Sequence, residues 1–105
     1  MTEMTESDYQ TTLETERYLY SWCLQKYGNI AKDTADKLAT EFYVYEPPNT
    51  PLRGFVFHEY SWNWAMQKIF GYGYWLQHPE YKYPAKEYWR EDNLLSAKRI
   101  GLTNR

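Results

Sequence analysis

The chain has one cysteine, two valines and three isoleucines in 105 residues, and no uncharged run longer than the 11 residues from Ile69 to Pro79. One thiol excludes a disulfide framework, so the fold must rest on a hydrophobic core alone. Eleven residues fall short of the roughly 20 that cross a bilayer as a helix. The first eight residues, Met1 to Asp8, are polar and acidic and lack the basic start and apolar stretch of a secretory signal. The expected location is therefore the cytoplasm, and no membrane partner is expected.

Catalytic motifs are sparse as well. Gly71-Tyr72-Gly73 has neither the third glycine nor the lysine of a phosphate-binding loop. His58-Glu59 and His78-Pro79-Glu80 offer zinc-type donors, but position 62 is Trp62, where a metalloprotease helix starting at His58 would need its second histidine. His58 reads as a core histidine beside Trp62 and Met66, and Cys23, between Trp22 and Leu24, as a buried inert thiol. No catalytic residue, metal ligand or cofactor is assigned. A small metal-dependent enzyme built on His58, Glu59 and His78 remains as an alternative.

What the chain does have is rings. Twelve Tyr, five Trp and four Phe make up 20% of it. At roughly 150 to 250 Å² buried per ring, 21 rings exceed what a domain of 12.8 kDa can hide. Many should lie half exposed, with their flat faces at the surface and their polar tips in water.

Size and an apolar content of 43% predict a single domain over residues 1–105, with 1–6 and 101–105 frayed. Tyr9, Leu13, Tyr20, Cys23, Leu24 and Tyr27 recur at helical steps, predicting a first helix capped by the Ser7/Gln10 pair and closed by a left-handed Gly28. Asn29 then caps a second helix whose face is Ile30, Thr34, Ala35, Leu38, Phe42 and Tyr45, and which ends before Pro47-Pro48. The two should form an antiparallel hairpin.

Beyond the stiff Pro47 to Gly54 connector, the spacing of His58, Trp62, Ala65, Met66, Ile69 and Phe70 predicts a helix from about 57 to 70, with a short extended piece at 55–57. The same stretch also alternates as a strand would, which keeps an α+β fold with a short hairpin around residues 43–64 as the alternative. A short helix over Tyr72 to Gln77 and a last one from Ala85 to about Lys98, entered through Pro84, complete the expectation. The predicted class is mainly α, a small single-domain bundle of four to five helices.

Charge divides unevenly. Residues 1–46 hold nine acids and four bases, and residues 47–105 hold five acids and eight bases. The basic part also carries 13 of the 21 rings, between Phe55 and Trp89. An acidic hairpin would steer association with a basic partner.

The expected function is accordingly protein recognition, with no enzymatic activity. The partner's identity is open, as is self-association through exposed rings. Tyr72, Tyr74, Trp75, Tyr81 and Tyr83 lie in glycine- and proline-punctuated chain and are the candidate anchors, joined by Glu14, Asp33 and Asp36 from the hairpin. Occlusion of a partner's working surface is the expected mechanism, as in phage-borne inhibitors of host defence. The alternative is a nucleic-acid-binding module, in which Tyr and Trp stack on bases while Lys82, Lys86 and Arg90 hold phosphates beside Trp89. A net charge of −2 works against approach to a polyanion.

Overall fold

The structure is a computed structural model and describes residues 5–99. Four α-helices form it: α1 (Glu6–Gly28), α2 (Lys32–Phe42), α3 (Ser61–Phe70) and α4 (Lys86–Arg99). Single 3-10 turns at Phe55–His58, Tyr74–Leu76 and Pro79–Tyr81 interrupt the connections. Among the described residues there is no strand, so the mainly α reading holds and the α+β alternative falls.

Helix α1 begins earlier than its sequence signal suggested. The cap is Thr5, whose hydroxyl accepts the Asp8 N–H at 3.0 Å, and Ser7 is already inside the helix. Glu6, expected to fray, is helical and accepts from the Arg53 guanidinium at 2.6 Å and from the Tyr45 hydroxyl at 2.7 Å. The rest of the terminal segments expected to fray, 1–4 and 101–105, lies outside the described residues, as does Ile100.

At the other end of α1, Asn29 takes the left-handed conformation (φ 55°) expected of Gly28, and the Ile30 N–H closes on the Leu24 carbonyl. Gly28 serves packing instead. A Cβ there would stand 3.0 Å from Ile69 Cγ1, so its absence lets α1 and α3 approach closely. With Asn29 used in this way, the N-cap of α2 is Ala31, which supplies no side-chain cap.

The hairpin is antiparallel. Ser21 donates to Asp36, Arg17 donates to the Tyr43 carbonyl, and the Tyr9 hydroxyl accepts the Glu46 N–H, so α1 positions descend as their partners ascend.

The helix expected over 57–70 is split. Glu59 is extended (ψ 147°) and α3 starts only at Ser61. The break turns Phe57 under the Tyr9 and Tyr43 rings, at 5.6 and 6.1 Å, while the Trp64 indole N–H reaches back to the Val56 carbonyl at 3.3 Å. A continuous helix would carry Phe57 away from that packing. The extended piece expected at 55–57 is a 3-10 turn, and His58 is exposed within it instead of sitting in the core. Over Tyr72 to Gln77 only a three-residue turn forms, because Gly71 (φ 95°) and Gly73 (φ 80°) hold left-handed backbone incompatible with a helix.

Helix α1 is central and packs on α2, α3 and α4. The core around it is built from rings set against small residues: Tyr9, Tyr20, Tyr43, Trp62, Tyr74 and Tyr88 are buried beside Ala35, Ala39 and Ala65. Most polar tips inside are matched. The Trp62 indole donates to the Tyr81 carbonyl at 2.8 Å, the Tyr88 and Ser61 hydroxyls meet at 2.9 Å, and the Tyr74 hydroxyl donates to Asn63 Oδ1 at 2.7 Å.

The Tyr43 hydroxyl is an exception, buried without a hydrogen-bond partner. Tyr43→Phe is accordingly expected to raise unfolding free energy by about 1 kcal/mol, whereas Tyr9→Phe, which orphans the Glu46 N–H, should lower it by about 1 kcal/mol. Urea denaturation of the two variants in parallel would show a shared sign if this assignment of polar partners is wrong.

Candidate recognition surface

Helix α3 buries Trp62, Ala65 and Met66 and turns its other side outward. Tyr60, Asn63 and Gln67 stand at steps of three and four on that outer side. The chain that follows swings through the Gly71 and Gly73 turns, which set Tyr72, Tyr74 and Trp75 beside this face, and returns as Lys82-Tyr83-Pro84. Together with Glu59 these residues line a groove of about 450 Å³, within the range of concave binding sites.

Three of the groove's rings are largely in solvent: Tyr72 at 86%, Tyr83 at 72% and Tyr60 at 52% exposed. Trp75 is half-buried and meets Tyr72 edge-on, with centroids 5.6 Å apart and planes at 75°. Glu59 Oε1 accepts from the Tyr60 N–H and the Asn63 side-chain amide, and Asn63 in turn accepts from Tyr74. A hydrogen-bonded chain from Tyr74 through Asn63 to Glu59 therefore holds the polar floor under an aromatic wall. The Lys82 ammonium lies 5.5 Å from the centroid of the Tyr83 ring.

Of the five predicted anchors, the structure brings Tyr72, Trp75 and Tyr83 into this groove with part of their rings accessible. Tyr74 lines it but is only 4% exposed, and burial raises its hydroxyl pKa. Tyr81 is half-buried and packs on Tyr27 and Phe70 at 5.4 and 5.7 Å. The expectation that all five sit at the surface is thus corrected for Tyr74, which turns inward to Asn63, while Tyr81, half-buried like Trp75, packs on the aromatic core and does not line the groove.

Sequence reading missed Tyr60, Asn63 and Gln67. Their signal was the spacing opposite the apolar face of α3, obscured by placing the helix start at 57.

A second groove, of about 510 Å³, runs along α4 between Lys86, Trp89, Arg90, Asn93, Leu94 and Ala97. Trp89 meets Tyr60 edge-on at 5.2 Å, so the two grooves adjoin across this pair. Lys82, Lys86, Trp89 and Arg90, the residues of the nucleic-acid alternative, thus line two grooves that meet at the Tyr60–Trp89 pair.

The acidic hairpin is less free than its composition implied. Asp36 is paired to Lys32 at 2.7 Å and accepts the Ser21 hydroxyl, and these bonds, the Lys32 bond first, hold its carboxyl below the usual range. Glu46 accepts the Gly54 N–H. Glu14 and Asp33 remain exposed.

His58 stacks on Phe55 at 5.6 Å, and His78 stacks on Phe70 at 4.2 Å with Glu80 3.6 Å away. Glu59 also borders a smaller groove of about 310 Å³ with Phe55, Val56, His58 and Trp64. Among the described residues no three His, Cys, Asp or Glu side chains gather into a set that could hold a metal ion. Cys23 is buried, and desolvation raises its thiol pKa, which disfavours the reactive thiolate. Among the same residues no helix is long and apolar enough to cross a membrane. Compared with protein-family models, with curated proteins and with solved structures, the chain finds no match.

Proposed function

We propose that the chain acts by binding another protein through the groove between α3 and the Tyr72–Pro84 segment, and that it thereby occludes the partner's working surface. The observation that carries this reading is the convergence of Tyr60, Tyr72 and Tyr83, all more than half exposed, on one groove with a hydrogen-bonding floor. Tyrosine and tryptophan supply large contact area with few rotatable bonds, and they dominate the energetics of protein interfaces. A surface ring contributes little to folding, so three gathered in one place are better accounted for by recognition than by stability. The nucleic-acid alternative draws support from Lys82, Lys86 and Arg90 beside Tyr60 and Trp89. Against it stand Glu59 in the groove and the net charge of −2.

The Tyr72→Ala/Tyr83→Ala variant tests the choice. Its thermal midpoint is expected to stay within a degree or two of the parent, because both rings are in solvent. Affinity for a purified protein partner, identified by crosslinking in the native host, should fall by about tenfold or more. Full retention of partner binding by the variant would overturn the reading. A tenfold loss of oligonucleotide binding, with no protein partner found across a range of salt, would move the function to the nucleic-acid class.

A further inference from the structure

The groove carries a more specific chemical preference, which rests on the protein-binding reading above. We infer that its occupant is a basic side chain, arginine or lysine, projecting from the partner protein. The walls are Tyr60, Tyr72, Trp75 and Tyr83, and Tyr72 and Trp75 meet nearly at right angles. Ring faces carry negative potential, so a groove walled by four rings, three of them more than half exposed, attracts a cation.

Glu59 is the one carboxylate among the described lining residues of this groove, and it is only partly exposed. Both of its hydrogen bonds fall on Oε1, leaving Oε2 without a partner among the described residues. A guanidinium or ammonium entering the groove would complete that carboxylate with a charge-assisted bond. Phosphate or carboxylate groups would meet Glu59 as a like charge.

Lys82 supports this assignment. Its ammonium already rests 5.5 Å from the Tyr83 centroid, so a cation of this chain occupies part of the position assigned to the partner's. Lys82 is exposed and can swing into water when a stronger cation arrives. If Lys82 instead held a phosphate, its removal would weaken binding. Under the cation reading its removal strengthens binding, so the two readings predict opposite signs for one substitution.

The test is an NMR titration of the full chain, following the Trp75 indole N–H. Three probes are used: the capped peptide Gly-Arg-Gly, its counterpart with citrulline in place of arginine, and a ten-residue oligothymidine. The arginine peptide should shift the Trp75 signal, and the uncharged citrulline peptide should bind about fivefold more weakly or worse. Glu59→Gln should cost a similar factor, and Tyr72→Leu, which keeps apolar area but removes the ring face, about threefold. Lys82→Ala should bind the arginine peptide about twofold more tightly.

Folding does not confound the result, since Glu59→Gln retains a carbonyl acceptor for the Tyr60 and Asn63 N–H groups and Tyr72 is in solvent. Equal binding of the arginine and citrulline peptides overturns the inference. So does arginine binding that is unaffected by Glu59→Gln or weakened by Lys82→Ala. Oligothymidine binding that requires Lys82, with no response to arginine, overturns it in favour of a nucleic acid. A partner lost with Tyr72→Ala/Tyr83→Ala but retained by Glu59→Gln sinks the cation assignment alone and leaves the protein-binding reading standing.

Discussion

Trp62→Ala is expected to remove about 3 to 5 kcal/mol of unfolding free energy, leaving a chain of this length near the limit of folding, since domains of about 100 residues hold about 5 to 15 kcal/mol in all. Trp62 is fully buried and lies against Tyr27, Tyr81 and Tyr88, with centroids 5.0, 6.2 and 5.8 Å away. Alanine would leave a cavity bordered by three rings, whose planar shapes cannot collapse into it without leaving their edge-to-face geometry.

Trp62→Phe separates the ring from its N–H. It keeps most of the packing but releases the Tyr81 carbonyl, which should lower stability by about 1 to 2 kcal/mol. It should also loosen Lys82 and Tyr83, the next two residues, and so weaken ligand binding in the groove. Urea unfolding followed by far-UV circular dichroism gives the first quantity, and the Trp75 indole titration gives the second. A Trp62→Ala protein that loses less than 1 kcal/mol would mean that the ring cluster is not the structural centre of the fold.

How far the sequence led depended on whether one pattern competed with another. In α1 and α2 only the helical period fits, and the antiparallel hairpin follows from it. From Val56 to Trp64 both a helical stripe and a two-residue alternation fit, and neither reveals that Phe57 is needed beneath Tyr9 and Tyr43. That requirement is tertiary, and it breaks the helix at Glu59. The glycine pair at 71 and 73 signals punctuation and the lack of a phosphate loop, but not that its left-handed backbone shapes the groove. Tyr74 shows the limit of reasoning from punctuation: chain rich in glycine and proline lies at the surface on average, but a given ring on it turns inward when a partner such as Asn63 Oδ1 is in reach.

The surplus of rings resolves into two populations with different chemistry. Six are buried and eight are exposed, with the remaining seven between. Buried hydroxyl and indole groups at Tyr9, Trp62, Tyr74 and Tyr88 are hydrogen-bonded. The exposed rings are not evenly scattered, for Tyr60, Tyr72 and Tyr83 share one groove and Trp89 adjoins it. Burial of the first population makes a domain poor in valine and isoleucine stable. Gathering of the second is what gives the surface a place where a partner can be held.

Glu16 supplies the other large effect, and its sign is set by where the carboxyl lies. It stands in the stripe of Tyr9, Leu13, Tyr20 and Cys23, at the helical step between Leu13 and Tyr20, although by composition it is one of the nine acids of residues 1–46. Burial, and then the negative charge of Asp92, push its pKa from the ordinary 4.5 up to about 7, against the opposing influence of the Ser61 backbone N–H. The folded chain therefore keeps a proton that the unfolded chain releases near 4.5. The resulting stabilisation is complete below that value and is lost as pH rises through about 7. Between pH 4.5 and 8 the loss should be about 3 kcal/mol, because each tenfold difference in proton affinity between the folded and unfolded chains is worth about 1.4 kcal/mol.

Glu16→Gln should abolish this slope while keeping an acceptor for Ser61, and at pH 8 it should be more stable than the parent by about 1 to 2 kcal/mol. Asp92→Asn should reduce the slope only in part, because burial is the larger cause. Urea midpoints for the three proteins at pH 5 and pH 8 decide the matter. A parent protein equally stable at both values, or a Glu16→Gln variant that retains the full slope, would show that the carboxyl is ionised and solvated across this range.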